Sequence, residues 1–140
     1  MTLIGLSDFK NLPEYQDFIN ENPGVGTVKV QVFTAYGAIP VPDTAILITK
    51  VIGNYNVVFF QGDTDSSGII DNIELPAPVA VPISNPDVVP GYTLYDMIAI
   101  HEGYETLKKY SIAMFGDVKI IQYVKMTPVV NLEGGAINGN

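Results

Sequence analysis

The chain has no cysteine and no tryptophan, and only one of its 140 residues is a histidine. The absence of cysteine excludes disulfides, thiolate catalysis and cysteine-ligated zinc together. A chain of this length buries roughly two thirds of the surface that its unfolded form exposes, which is enough for one domain. We therefore expect a single hydrophobic core to hold the fold without covalent crosslinks between cysteines.

Charge is also scarce, since charged residues make up 16% of the chain whereas apolar residues make up 47%. Lysine and arginine together number seven, and the net charge is −8. Neutralising a phosphate backbone requires clustered basic residues, so this composition excludes nucleic acid as a partner. The apolar content is too high for a disordered chain, and it predicts that some apolar surface faces a partner.

Long hydrophobic runs are missing as well. No segment approaches the 18 or so apolar residues that a spanning helix needs. The first residues, MTLIGLSDFKNLPEYQDF, lack a basic start and a continuous apolar stretch, which are the marks of a secretory signal. We expect no membrane insertion and no export by a standard signal.

The apolar residues that are present mostly follow the two-residue period of strands. A short helix is predicted over Ser7–Asn20, after an apolar arm at Met1–Leu6, and Asn22-Pro23-Gly24 ends it. Prolines at 76, 78, 82, 86 and 90 predict an extended loop over Pro76–Pro90. The spacing predicts about seven strands: Thr27–Ala35, Thr44–Val51, Val57–Gln61, Ile69–Leu75, Tyr92–His101, Leu107–Met114 and Lys119–Met126.

Short strands separated by turns every 8–12 residues are typical of an all-β sandwich. The third and fourth strands, joined by the turn Asp63–Gly68, are predicted to form a hairpin. We divide the chain into an N-terminal arm with its helix (residues 1–25), the sandwich (26–128) and a C-terminal tail (129–140).

A family resemblance rests on three segments: GTVKVQVFTAYGAIPVPDTAILITK, TDSSGIIDNIELPAP and YTLYDMIAIHEGYETLKKYSIAMFGDVKIIQYVKMTP. They resemble the transthyretin-like, or carboxypeptidase-regulatory-like, domain found beside cortex-lytic and cell-wall-binding modules in endospore-forming bacteria. The resemblance spans about Gly26–Pro128 and implies a seven-stranded prealbumin-like or immunoglobulin-like sandwich with an accessory, non-catalytic role. This chain departs from the family's setting because no lytic module accompanies the domain.

Residues Asp63–Glu74 fit the twelve-residue calcium loop of an EF-hand, with oxygen ligands at positions 1, 3, 5 and 9, glycine at 6 and glutamate at 12. An EF-hand needs a helix on each side, and the flanks here have the pattern of strands. Asp-Ser-Ser-Gly is also an ordinary turn, in which aspartate caps backbone amides. We favour the plain turn and keep calcium as the alternative.

No catalytic constellation is evident. His101 ends an apolar strand, and no Gly-x-Ser-x-Gly sequence supplies a nucleophile for it. Carboxylate pairs such as Asp63 and Asp65 lie in turns, where a glycosidase pair is not expected. We therefore predict that the protein is not an enzyme, with no catalytic, cofactor-binding or metal-binding residues and no cofactor.

Two other possibilities are a covalent crosslink within the chain and a sugar-binding surface. Lys29, Asp96 and Asn131 could form an intramolecular Lys–Asn isopeptide bond, but Lys29 alternates with buried valines and is expected to face solvent. The eight tyrosines could line a sugar-binding surface, although scattered tyrosines on strands are more typical of interfaces.

The predicted function is that of a structural protein that assembles with itself into a polymer or fibre through edge strands and terminal arms. The resemblance implies a location on the spore surface or an extracellular appendage, reached by assembly in the mother cell or by lysis. Cell-wall or spore-layer components are further candidate partners. The alternative is an accessory module that binds cell wall, carbohydrate or a partner protein.

Overall fold

The computed structural model of the chain describes residues 1–34, 39–81, 87 and 90–130. In this part of the chain two short helices precede most of the strands. Their bounds are β1 Thr2–Gly5, α1 Leu6–Phe9, α2 Pro13–Glu21, β2 Gly24–Thr34, β3 Ile39–Pro40, β4 Ala45–Ile52, β5 Tyr55–Asp63, β6 Ile69–Ala77, β7 Thr93–Ile100, β8 Leu107–Met114 and β9 Lys119–Met126.

Five strands form one sheet, which we call sheet A, in the order β1-β5-β4-β7-β8. All of its pairs are antiparallel except β1 with β5, which is parallel. The other four strands form sheet B around β2. Strand β9 runs parallel to β2 on one side, and β6 with the short β3 runs antiparallel to it on the other.

The core lies between the two sheets and explains the sandwich. Val28, Val30 and Val32 alternate along β2 and are buried, because successive side chains of a strand point to opposite faces. They pack against buried residues from sheet A, including Ile46, Ile48, Tyr95 and Met97. The fold is therefore an all-β sandwich with one hydrophobic core, as the alternation predicts.

The number of strands differs from the prediction, since nine strands lie in the described residues instead of seven. Strand β1 comes from the segment predicted as a free arm. Its four residues are too few to show a period, and only the edge of β5 makes them a strand. Strand β3 lies between the first two predicted strands and has only two residues.

The single predicted helix over Ser7–Asn20 is also wrong, because the structure divides it in two. Pro13 has no backbone N–H to donate and occupies the first turn of α2, where that loss costs nothing. Phe9 at the end of α1 and Phe18 in α2 are buried. The N-terminal residues therefore pack on the sandwich of their own chain.

The predicted hairpin of the third and fourth strands is wrong as well. These strands are β5 and β6, which belong to different sheets. β4 pairs with one edge of β5, and β1 pairs with the other edge at Tyr55–Val58, whereas β6 pairs with β2 in sheet B. The segment Asp63–Gly68 crosses between the sheets, and the Thr64 hydroxyl fixes it by donating to the Val41 carbonyl at 2.8 Å.

Some predictions fall outside the described residues: the end of the first strand at Ala35, prolines 82 and 86 of the extended loop, and tail residues 131–140. Within the described residues no helix has the length and apolar character required to cross a bilayer.

Candidate functional site

The outward face of sheet A is apolar. Because Ile46, Ile48, Met97 and Ala99 point into the core, the residues between them on β4 and β7 point outward. Register places outward residues of the neighbouring strands beside them. We call this surface the outer A face, and its apolar members are Leu3, Ala45, Leu47, Val51, Val58, Leu94, Ile98, Ile100 and Ala113.

Polar groups also lie on the outer A face. Gln61 is aligned with Leu47, and Asp63 is aligned with Ala45. Asp96 lies next to Thr49 in register, and Lys108 lies next to Ile98. Asn56 is aligned with Leu3 on one side and Val51 on the other. Its Oδ1 is buried and has no hydrogen-bond partner among the described residues, which is unusual because buried polar atoms are normally satisfied.

The outward face of sheet B is mixed. Charged residues such as Lys29, Glu74 and Lys125 lie on it, and so do the exposed side chains of Val25, Ile121 and Tyr123. Lys119 pairs with Asp71 at 2.8 Å. The hydrogen bond from Lys119, followed by that from the Asn72 amide, lowers the pKa of Asp71 below its ordinary value. The outer A face therefore carries fewer charges than the outward face of sheet B.

The edges of sheet A carry features that oppose strand addition. β1 has only four residues, and short edge strands are a common form of protection. β8 carries two lysines and a register shift opposite Tyr95 and Met97, with Ser111 at φ +69°. A bulge and lysines on an edge disfavour pairing with another strand. Both edges of sheet A are therefore poor sites for the addition of a strand from another chain.

A second candidate site surrounds Lys50, at the end of β4 beneath α2. A hollow of about 470 Å³ is lined by Phe18, Lys50, Tyr92 and Thr93, among others. The Thr93 hydroxyl donates to the Asn22 carboxamide oxygen, and the Asn22 carboxamide donates to the Phe18 carbonyl at 2.9 Å. This polar network is satisfied and positions the wall of the hollow.

Lys50 itself donates to the Leu94 carbonyl at 2.9 Å, and its ammonium lies 5.7 Å from the centre of the Tyr95 ring. Partial burial lowers the pKa of Lys50, and the charge of Asp96 partly offsets this. Tyr95 donates its hydroxyl to the Pro76 carbonyl at 2.6 Å, and burial raises the pKa of that hydroxyl. These groups tie sheet A to the end of β6.

The residues of the predicted calcium loop form a turn. One Asp65 carboxylate oxygen accepts hydrogen bonds from the amides of Ser67, at 2.8 Å, and Ile69, at 3.0 Å. Gly68 adopts φ +74°. The flanks are the strands β5 and β6, as the sequence predicts. In the described part of the chain no three histidine, cysteine or acidic side chains are grouped so that they could hold a metal ion.

His101 follows the end of β7. Its Nδ1 lies 2.6 Å from the Glu102 carbonyl oxygen, and its ring packs edge-on against Tyr104 with the centroids 5.2 Å apart. Both contacts are local packing at the end of a strand.

The structure does not bring together the residues considered for an isopeptide bond. Lys29 lies on β2 in sheet B and Asp96 on β7 in sheet A, and alternation points the two side chains to opposite outer faces. Asn131 lies outside the described residues. The mutual approach of lysine and carboxylate that such a bond requires is absent for this pair.

Sequence reasoning missed both the outer A face and Lys50. The signal for the face was present in β7, TLYDMIAI, where apolar residues occupy both phases of the alternation. A strand that is apolar on both faces indicates that both are covered. Lys50 could not be found from its pattern because its burial depends on α2, which packs over it.

No family model matches the chain, and no curated protein matches it. Among solved structures it is similar to 3-chlorocatechol 1,2-dioxygenase from Rhodococcus opacus 1CP, with a TM-score of 0.48 and 13% identity over 79% of this chain and 62% of that one. It is also similar to catechol 1,2-dioxygenase from Acinetobacter sp. ADP1, with a TM-score of 0.48 and 10% identity over 91% of this chain and 57% of that one. The chain thus spans less than two thirds of the length of either enzyme, and a likeness this distant carries no argument about activity.

Proposed function

We propose that the protein is a non-catalytic structural subunit that assembles with copies of itself, and that the outer A face is the surface on which two copies meet. The observation that carries the proposal is the set of exposed apolar side chains on this face, Leu3, Val51, Leu94 and Ile100, with fewer charged groups among them than the outward face of sheet B has. A contiguous apolar patch on a soluble protein marks an interaction site. A finer assignment, to a prealbumin-like subunit of a spore layer or surface appendage, follows only from the family resemblance.

The size of the face suits such a contact. Five strands about 4.8 Å apart, of which β1 has four residues and the others eight or nine, give a flat area of roughly 600 Å² at roughly 3.3 Å per residue. Projecting side chains make the accessible area larger than the flat area. A standard interface buries about 800 Å² on each partner, so the face is large enough for one.

The charges on the face favour a second copy as the partner. The chain carries a net charge of −8, which opposes association through most of its surface. The outer A face carries two acids, Asp63 and Asp96, and one base, Lys108. In a two-fold pairing Lys108 of each copy can face Asp96 of the other.

The test is a matched pair of substitutions. Ile100 on the outer A face is 49% exposed and Ile121 on the outward face of sheet B is 48% exposed. Sedimentation velocity at tens of micromolar should show wild type and Ile121→Lys as the same oligomer and Ile100→Lys as a smaller species. The proposal fails if wild type is a monomer, or if the two variants sediment alike.

The alternative is an accessory module that binds a cell-wall carbohydrate. The 470 Å³ hollow favours it, because Tyr92 offers an exposed ring at its entrance beside the polar groups of Lys50 and Thr93. Soluble glycan fragments titrated against the protein should then quench tyrosine fluorescence in wild type and not in Tyr92→Ala. A flat titration in wild type would eliminate this alternative.

A further inference from the structure

The charges of the chain are distributed unevenly over the fold. All seven basic residues are lysines, and six of them lie in strands, against four acids there. Ten acids and only Lys10 lie in the helices and loops of the described residues. The strands thus carry a small positive charge, while the surrounding helices and loops are strongly acidic. Two copies that approach with unlike regions attract each other.

The positive charge is most exposed on the free edge of sheet A. Lys108, Lys109, Tyr110 and Ser111 are four consecutive exposed residues within β8. The bulge at this point leaves an extra residue unpaired and redirects the neighbouring side chains. Tyr110 is 65% exposed, the most of any large apolar or aromatic side chain in the strands.

An acidic hollow lies beside the end of β4, which β7 separates from β8. Along α2, Glu14, Asp17 and Glu21 are spaced so that they lie on one face of the helix. They border a hollow of about 260 Å³ whose apolar walls are Phe18, Val51 and Ile52, and Lys50 is the one basic residue in its lining. Three carboxylates and one ammonium group leave the hollow net acidic. Small-molecule pockets usually have about 300–1,000 Å³. The hollow is therefore better suited to one inserted side chain than to a free ligand.

Within one chain the two features cannot meet. Lys109 is aligned with Met97 on β7, which in turn is aligned with Ile48 on β4. The hollow lies further along β4, at Val51 and Ile52, and strand β7 separates β4 from β8. A contact between them therefore requires a second copy.

We infer that Tyr110 on the β8 edge of one copy inserts into the α2 hollow of the next copy, where Lys109 pairs with the carboxylates of Glu14, Asp17 and Glu21. The inference rests on the proposed self-assembly and adds a second contact to it. Two complementary features support it: the aromatic ring of Tyr110 suits the apolar walls of the hollow, and the cation of Lys109 suits the acids that border it. A contact between two different surfaces of the same molecule is heterologous, and it propagates into a ring or a filament.

The experiment exchanges the charges. Lys109→Glu and Asp17→Lys should each weaken the association roughly ten-fold or more, because like charges then meet at the contact. An equimolar mixture of the two variants should assemble again, since the edge of the second variant fits the intact hollow of the first. Lys125→Glu, a similarly exposed lysine on β9, is the control and should assemble as wild type does.

A second pair tests the inserted ring. Tyr110→Ser should reduce assembly, whereas Tyr123→Ser, at a tyrosine that is 57% exposed on β9, should not. Circular dichroism of each variant confirms that it is folded. The inference is overturned if the charge variants assemble like wild type or if mixing them restores nothing.

The outcomes also separate the two contacts. If wild type forms only dimers that Ile100→Lys disrupts, the proposed function stands and the heterologous contact fails. If Ile100→Lys has no effect while the charge variants abolish assembly, the heterologous contact stands and the outer A face fails. A monomeric wild type defeats both.

Discussion

At the scale of single residues, two glycines show how the same backbone conformation can have different costs. Gly53 has φ +61° with no atom near its would-be Cβ, whereas Gly68 has φ +74° and a Cβ there would lie 2.4 Å from the Val32 carbonyl oxygen. That oxygen belongs to β2, the central strand of sheet B. Gly68 is therefore required both for its torsion angle and for the space that it leaves.

We predict that Gly53→Ala lowers the free energy of unfolding by about 1 kcal/mol, the cost of a left-handed alanine. Gly68→Ala should lower it by about 3 kcal/mol or more, because β2 must also move. Urea unfolding followed by circular dichroism measures both. Equal losses would contradict the close approach of Gly68 to Val32.

A second prediction concerns Asp65. Its carboxylate already accepts two backbone hydrogen bonds, so the turn between β5 and β6 is complete without a cation. Millimolar EDTA should leave the melting temperature unchanged. A site occupied at 100 times its dissociation constant would stabilise the fold by about 2.7 kcal/mol, so a drop of several degrees on chelation would revive the calcium alternative.

At the scale of elements, β1 acts as a cover. β5 contains Val57-Val58-Phe59-Phe60, and β1 pairs in parallel with Tyr55–Val58, which covers one edge of the first half of that segment. An apolar strand with an open edge is prone to aggregate. β1 thus pairs with an edge of β5 in its own chain, whereas the N-terminal arm was expected to dock on a neighbouring copy.

We predict that deleting residues 2–5 leaves a folded sandwich that aggregates. Thioflavin T fluorescence should rise on incubation at 37 °C, and far-ultraviolet circular dichroism should retain its strand signal at the start. A chain lacking residues 131–140 is the control, because its β5 stays covered. If the two truncations behave alike, β1 has no protective role.

A local sequence pattern indicates where a strand begins and ends, but not which strand it pairs with. The bounds of β8 and β9 are confirmed, and β4 and β7 lie within a residue or two of their predictions, because apolar alternation is a property of the strand itself. The predicted pairing of β5 with β6 is wrong because the partner of a strand depends on the other strands of the fold. β5 pairs with β4 and β6 pairs with β2, and neither partner is part of the turn that connects β5 to β6.

At the scale of the whole molecule, the sandwich class could be predicted because seven apolar strands without long helices leave few other ways to bury a core. The candidate site could not be predicted in the same way. The outer A face can be recognised only once the register between strands is known. That register places residues from different strands, such as Leu3, Val51 and Leu94, on one surface. The acidic hollow likewise needs α2 and β4 together.

The parallel pairing of β2 with β9 also has a consequence for the time course of folding. The Thr34 hydroxyl donates to the Met126 carbonyl at 3.1 Å, across 92 positions of the chain. During synthesis β2 leaves the ribosome long before β9 exists. One edge of β2 therefore remains unpaired until β9 has been made. Closing so large a loop is slow. Until β9 is in place the exposed edge of β2 can pair with other chains, and a chaperone or a low local concentration limits that aggregation.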